Sequence, residues 1–191
     1  MTVEEMSALA LGIGFFAFML VSLILTTTHQ VEQRPAAQRV GGARFWMTAF
    51  LFLPMAFVEE AIFRWFFIGE LRWVIGLIPA FLLSMGLFIL AHRPNERLRF
   101  MAVLNLAIVG AILGFVFLRW GIWVATAGHA GWNLAEWGMG YAVSGEKTRA
   151  LLPAPIYRVV KGEPFGPEGH WSTTVVLLAM LFVLVDVHRF I

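Results

Sequence analysis

The chain has 191 residues, of which 60% are hydrophobic and only 14% are charged, and its mean hydropathy is +0.79. Soluble domains are about 45–50% apolar and about 25% charged, so this composition predicts a membrane protein rather than a soluble one. The formal net charge is +2, and the sequence has no cysteine, which excludes disulfides, thiolate catalysis and cysteine-bound metals.

Six apolar runs of helical length follow one another along the chain. They are predicted as membrane helices at residues 8–28, 45–69, 71–92, 98–120, 121–141 and 172–190. The first run lacks the basic start and the cleavage site of a signal peptide, so it is predicted to be a retained helix. A run of about 20 apolar residues can span a bilayer. The sequence therefore predicts an all-α polytopic bundle of about six transmembrane helices, forming a single domain over residues 1–191.

Basic residues in the loops predict the orientation of these helices. Most of the 14 Lys and Arg residues lie at residues 29–44, 93–99 and 144–171, which follow predicted helices 1, 3 and 5. By the positive-inside rule these loops face the cytoplasm and both termini face outside. We therefore expect a multi-pass protein of the cell membrane, in contact with the lipid bilayer. Because the basic residues alternate with apolar runs, we expect no nucleic-acid partner.

Predicted helix 2 carries three charged residues inside an apolar run: Glu59, Glu60 and Arg64. A charge in the bilayer hydrocarbon costs about 2.5–3.5 kcal/mol on insertion scales, so three charges together indicate a function. Glu60 and Arg64 are one helical turn apart and are predicted to form an ion pair. Glu59 is rotated by about 100° from Glu60 and lacks that partner. Pro54, one turn earlier, is predicted to kink this helix, and Pro79 to break the next one.

Two other helices carry polar side chains at helical spacing. Phe88 and His92 share one face of predicted helix 3, and His129 and Asn133 share one face of predicted helix 5. If these faces converge on helix 2, we expect Glu59 to meet His92. A carboxylate, two imidazoles and a carboxamide suffice to hydrolyse a peptide bond, with a base that activates water and donors that hold the oxyanion.

The motifs E-E-x-x-x-R, F-x-x-x-H and H-x-x-x-N, in this order, resemble those of the CPBP intramembrane proteases. That family includes the type II CAAX prenyl endopeptidases and the bacteriocin-processing and self-immunity proteins. The resemblance covers about residues 51–185 and leaves residues 1–50 as a peripheral helix and loop. It implies an intramembrane endopeptidase with a cavity open toward the cytoplasm. It also implies roles for six residues: water activation by Glu59 and His92, oxyanion stabilisation by His129 and Asn133, and support by Glu60 and Arg64.

Such a site has two alternatives, one with a zinc ion and one without a metal. Glu59, His92 and His129 could form a zinc site of the kind some soluble metalloproteases use. Asn133 beside His129 suits an oxyanion donor better than a zinc ligand, so we favour a site without a metal or other cofactor. Glu136 matches no motif and is expected to be an interfacial charge. We assign no chemistry to the other histidines, which are His29, His170 and His188.

The substrate is predicted to be a peptide or protein, and the sequence leaves open whether it is prenylated or otherwise membrane-anchored. Two other classes of function remain as alternatives. One is a non-catalytic membrane scaffold or bacteriocin-immunity protein that keeps the pocket without cutting. The other is a small proton-coupled transporter that uses the same buried carboxylates and histidines.

Overall fold

The structure is a computed structural model, and it describes residues 1–35, 42–154 and 156–187. Its helices are α1 (Val3–Thr27), α2 (Ala43–Glu60), a π-helix (Ala61–Glu70), α3 (Arg72–Ile75), α4 (Leu77–His92), α5 (Phe100–Trp120), α6 (Ile122–Gly138) and α7 (Trp171–Val187). The α2, π and α3 segments form one helical rod of 33 residues, which we call the second rod. With that rod counted once, the described helices correspond to the six predicted ones. The predicted all-α bundle is confirmed.

The lengths and the outer surface of these helices are those of a membrane protein. Three rods are long and apolar enough to cross a membrane: Val3–Thr27, Ala43–Ile75 and Phe100–Trp120. The α4 and α7 helices are apolar but shorter. Large apolar side chains such as Trp46, Phe50 and Trp73 are each more than 70% exposed. An apolar surface of this kind is stable against lipid rather than water. The count of about six spans stays a prediction.

Helices α1 and α6 lie side by side and run in the same direction, and glycines allow their close contact. A Cβ atom on Gly131 would overlap the backbone carbonyl of Leu11, and one on Gly14 would overlap the carbonyl of Gly128. Small residues at such contacts let two membrane helices approach closely. The first helix was expected to be peripheral. In the structure it is part of the core and holds α6 in place.

The break between the second rod and α4 lies at Gly76, several residues later than predicted. Gly76 has a φ of +89°, which suits glycine and lets it end one helix and start the next. Pro79 lies in the first turn of α4, where a missing N–H group breaks no helical hydrogen bond, so the predicted break there is wrong. Pro54 lies inside α2, and the helix changes to π geometry only after Glu60.

The loops contain a small sheet that the sequence did not predict. Strand β1 (Val31–Arg34) pairs antiparallel with β2 (Tyr157–Val160), so that the segment after α1 is joined to the loop before α7. That loop also forms two short 3₁₀-helices, Glu146–Ala150 and Gly166–Gly169. The remaining predictions for this region, concerning Arg39, His188 and the end of helix 6 after residue 187, lie outside the described residues.

Candidate active site

Glu60 and Arg64 form a buried ion pair, as their spacing predicts. Arg64 Nη1 lies 3.3 Å from Glu60 Oε1, and the two side chains are 1% and 0% exposed. The same Glu60 oxygen accepts a hydrogen bond of 2.8 Å from His129 Nδ1. The Arg64 guanidinium also stacks over the Phe88 ring, 4.4 Å from its centroid. Glu60 therefore ties the second rod to α6 and fixes the orientation of the His129 ring.

Glu59 points in another direction and keeps 33% of its side chain exposed. Its Oε2 atom lies 3.9 Å from His129 Nε2. This distance is too long for a direct hydrogen bond, but one water molecule can bond to both atoms across it. Since Nδ1 of His129 donates to Glu60, Nε2 is the nitrogen that faces Glu59. The two adjacent glutamates therefore approach opposite nitrogens of one imidazole.

His92 does not pair with Glu59 among the described ion pairs, which differs from our expectation. The physical reason is depth: His92 is the last residue of α4, whereas His129 lies in the middle of α6. His92 donates Nδ1–H to the Phe88 carbonyl at 2.8 Å, which leaves Nε2 free. The Phe88 ring lies 4.5 Å from the His92 ring and 6.4 Å from the His129 ring. Phe88 therefore links the two imidazoles by packing.

Asn133 lies one turn beyond His129 on α6, and only 7% of it is exposed. Its position follows from the i, i+4 spacing that the sequence shows. Polar contacts or near contacts thus join four of the six predicted residues. His92 is connected to them by packing on Phe88, and Asn133 by its place on α6. The four are Glu59, Glu60, Arg64 and His129.

Glu136 is fully buried, so the expectation of an interfacial charge is wrong. It lies one turn beyond Asn133 and two turns beyond His129, on the same face of α6. Within the described ranges, neither of its carboxylate oxygens has a hydrogen-bond partner. The three-to-four residue spacing along α6 was the signal available in the sequence. It was not decisive, because a helix end near the interface shows the same pattern.

Residues 165–170, which we call the inserted segment, turn from the loop into the bundle. Phe165 is 1% exposed and belongs to the same apolar cluster as Phe88. Asn105 Nδ2 on α5 donates to two carbonyls of the segment, those of Glu168 at 2.8 Å and His170 at 3.1 Å. The Glu168 side chain is consequently held inside the bundle and is only 8% exposed. Sequence reasoning gave Glu168 no role.

The environment of Glu168 changes its proton affinity. Burial raises the pKa of its carboxyl group to about 7, while the nearby Ser144, His129 and Trp132 side chains lower this pKa and the nearby Glu59 raises it. Two predicted site residues therefore lie within electrostatic range of Glu168. Only a Pro- and Gly-rich stretch at residues 162–169, with two acidic residues, marked this position in the sequence.

The zinc alternative would need Glu59, His92 and His129 to converge on one ion. Across the described residues, no three His, Asp or Glu side chains form a group that could hold a metal ion. Nδ1 of each site histidine donates a hydrogen bond, to Glu60 from His129 and to the Phe88 carbonyl from His92, which leaves Nε2 of both rings as the remaining nitrogen. We therefore derive no step through a metal.

Comparison with known proteins gives one family. Residues 41–135 match the family model described as type II CAAX prenyl endopeptidase Rce1-like. The chain belongs to this family. All three motifs of this CAAX-protease-like chain fall within the match, which begins earlier and ends earlier than the resemblance at residues 51–185. Helix α1 and the inserted segment lie outside it. Neither a curated protein nor a solved structure matches the chain.

Proposed function

We propose that the protein is an intramembrane endopeptidase in which Glu59 activates the attacking water. The observation that carries this proposal is the difference between the two adjacent glutamates. Glu60 is fully buried between Arg64 and His129, whereas Glu59 is 33% exposed and lies 3.9 Å from His129 Nε2. A partly exposed carboxylate whose buried Oε2 has no hydrogen-bond partner among the described residues, and which is backed by an oriented imidazole, has what a general base needs. The family's protease character supports the same reaction class.

The reaction follows from these positions. Glu59 takes a proton from water as the water oxygen attacks the peptide carbonyl carbon. The oxyanion is held by hydrogen-bond donors on α6, for which we propose Nε2–H of protonated His129 and the side-chain amide of Asn133. The C–N bond then breaks, and the proton held by Glu59 passes to the leaving nitrogen. Water supplies the hydroxyl and hydrogen gained by the two products, and the carboxylate is regenerated.

His92 acts at the edge of this site in our proposal. Its Nδ1–H is donated to the Phe88 carbonyl, so Nε2 is the atom free to accept a proton or to hydrogen-bond to water. The Glu59 charge still acts on His92 at longer range. We therefore propose that His92 orients water or substrate from the end of α4 rather than contacting Glu59 directly.

The proposed substrate is a peptide or protein at the membrane. The family description names prenyl endopeptidases, so a prenylated tail is one candidate and another membrane-anchored segment is the other. We propose a multi-pass arrangement with both termini outside and the site open toward the cytoplasm, because the loops at residues 93–99 and 144–171 are basic. We propose that no metal takes part.

The test is mass spectrometry of the membrane proteome in cells that carry the protein, Glu59→Gln or Glu70→Gln. Glu70 lies on the same rod at the end of the π-helix and is exposed, so it is a matched control. We expect peptide products with the wild type and with Glu70→Gln that disappear with Glu59→Gln. If Glu59→Gln retains the full biological activity and the same peptides, the protein binds without cutting and the proposal is wrong.

A further inference from the structure

The inserted segment is fixed to the bundle at several backbone positions. In addition to the Asn105 contacts, Thr173 Oγ1 donates to the Pro167 carbonyl at 2.7 Å, and Thr174 Oγ1 donates to Asn105 Oδ1 at 2.7 Å. These bonds place the short 3₁₀-helix that carries Glu168 between α5 and α7. Since the backbone of the segment is held so firmly, its carboxyl group has a defined position inside the protein.

Glu168 lines a small cavity that lies between α5, α6 and α7. The cavity has a volume of about 10 Å³, and its lining includes Glu168, Asn105 and Trp132. Within the described part of the chain, both Glu168 Oε2 and Trp132 Nε1 are buried without a hydrogen-bond partner. Trp132 follows His129 by three residues on α6. A space of this size admits about one water molecule, which can hydrogen-bond to both of these groups.

Three titratable groups from neighbouring elements act on Glu168. They are Glu59 from the second rod, and His129 and Glu136 from α6. A proton lost by Glu168 adds a negative charge that all three groups feel in a poorly screened interior.

Two titratable side chains also lie at the ends of the inserted segment: Glu163, whose Oε2 lies against Gly169, and the buried His170. Helices α5 and α7 contribute the uncharged Asn105 and Thr173. Strand β2 contributes Arg158, whose Nη1 lies 3.5 Å from Ser22 Oγ of α1. The charged residues of α1 lie in its first turn. The potential around Glu168 therefore includes contributions from Glu59 and His129 of the candidate active site.

We propose that Glu168 is a positioning residue of the hydrolytic site: its carboxyl group, held inside the bundle by the inserted segment, exchanges a proton and so changes the electrostatic potential at Glu59 and His129. The reaction itself rests on the proposed function above, but the coupling does not. Electrostatic coupling is reciprocal, so a charge at Glu59 must affect Glu168 as much as a charge at Glu168 affects Glu59. The coupling can therefore be measured from either side.

The first measurement needs no substrate. Infrared difference spectra of the full-length protein in lipid nanodiscs, recorded as a function of pH, follow the carbonyl stretch of protonated carboxyl groups. We expect a band that titrates near pH 7, that is lost in Glu168→Gln and that persists in Glu136→Gln. Its midpoint should move to lower pH in Glu59→Gln, which removes a negative charge, and to higher pH in His129→Gln.

The control is Glu70→Gln, at the end of the π-helix, where the side chain is exposed and lies outside the inserted segment. This variant should keep both the band and its midpoint. If the band keeps its midpoint in Glu59→Gln and in His129→Gln, Glu168 is not coupled to the site and the proposal is overturned. These two variants decide the question even if Glu168→Gln does not fold.

The second measurement is the pH profile of kcat/KM for a cleaved peptide. We expect an inflection near pH 7 in the wild type and in Glu70→Gln that is absent from Glu168→Gln. A purely structural role for Glu168 would lower the rate at every pH and keep the inflection, which would contradict the proposal. If the wild type cleaves no peptide while the infrared midpoint still responds to Glu59, the proposed function fails but the coupling stands.

Discussion

Replacing Glu60 by glutamine should strongly destabilise the protein, because Arg64 depends on this carboxylate. At 3.3 Å, the distance from Arg64 Nη1 to Glu60 Oε1, two unit charges attract by about 5 kcal/mol at an effective dielectric constant of about 20. Removal of one partner from a buried pair typically costs about 3–5 kcal/mol, since the other charge remains buried. The bond from His129 Nδ1 is weakened as well. We expect a loss of at least about 3 kcal/mol.

The neighbouring variant Glu59→Gln is the matched comparison. Glu59 is 33% exposed and its nearest charged partner is 3.9 Å away, so its replacement should change the stability by less than about 1 kcal/mol. Thermal unfolding in detergent micelles measures both effects. For a chain of this size a loss of about 3 kcal/mol corresponds to a fall in Tm on the order of 10 °C. Glu70→Gln should leave Tm unchanged.

The two variants should therefore separate stability from activity. Glu60→Gln should lower Tm strongly, while Glu59→Gln should keep Tm and abolish cleavage. Equal Tm values for Glu60→Gln and the wild type would refute the assignment of Glu60 as the counter-ion of buried Arg64. A large loss of Tm in Glu59→Gln would show that this carboxylate has a structural partner and would contradict its role as a free base.

Three further changes have defined outcomes. Gly131→Ala should destabilise the protein by about 1–3 kcal/mol and lower the cleavage rate, because the added Cβ overlaps the Leu11 carbonyl. Gly138→Ala should do neither, because its Cβ would meet nothing within 4 Å. Equal Tm values for the two variants would contradict the close α1–α6 contact. The free energy of unfolding should fall by roughly 3 kcal/mol between pH 4.5 and about 7. The reason is that the pKa of Glu168 is raised from 4.5 to about 7, so folded Glu168 holds a proton that the unfolded chain releases. The difference in Tm between wild type and Glu168→Gln across this pH range measures that loss, and a difference that does not vary with pH would contradict it. Cleavage by the purified protein should resist chelators, and activity that chelators remove and zinc restores would overturn the metal-free proposal.

The sequence predicted the parts of the site that depend on local spacing. Glu60 and Arg64 are four residues apart on one helix, so their pairing follows from helix geometry alone. The placement of Asn133 one turn beyond His129 follows in the same way. The membrane helices were also predictable, because long apolar runs are stable in lipid only as helices whose backbone groups are satisfied internally.

Contacts between distant segments could not be predicted in this way. His129 contacts Glu60, 69 residues earlier in the chain. That His129 rather than His92 makes this contact depends on how far each helix extends into the bundle. The insertion of Glu168 depends on Asn105 from another helix. The sheet formed by Val31–Arg34 and Tyr157–Val160 consists of two strands of four residues, too short for an alternating pattern to identify.

The most direct test of the central claim uses one peptide substrate, identified from the membrane proteome, and the purified protein in lipid nanodiscs. Cleavage by the wild type and by Glu59→Gln is followed by mass spectrometry, with Tm recorded for both proteins. We predict two product peptides with the wild type and none with Glu59→Gln at an unchanged Tm. Equal cleavage rates for the two proteins would contradict the assignment of Glu59 as the base that activates water.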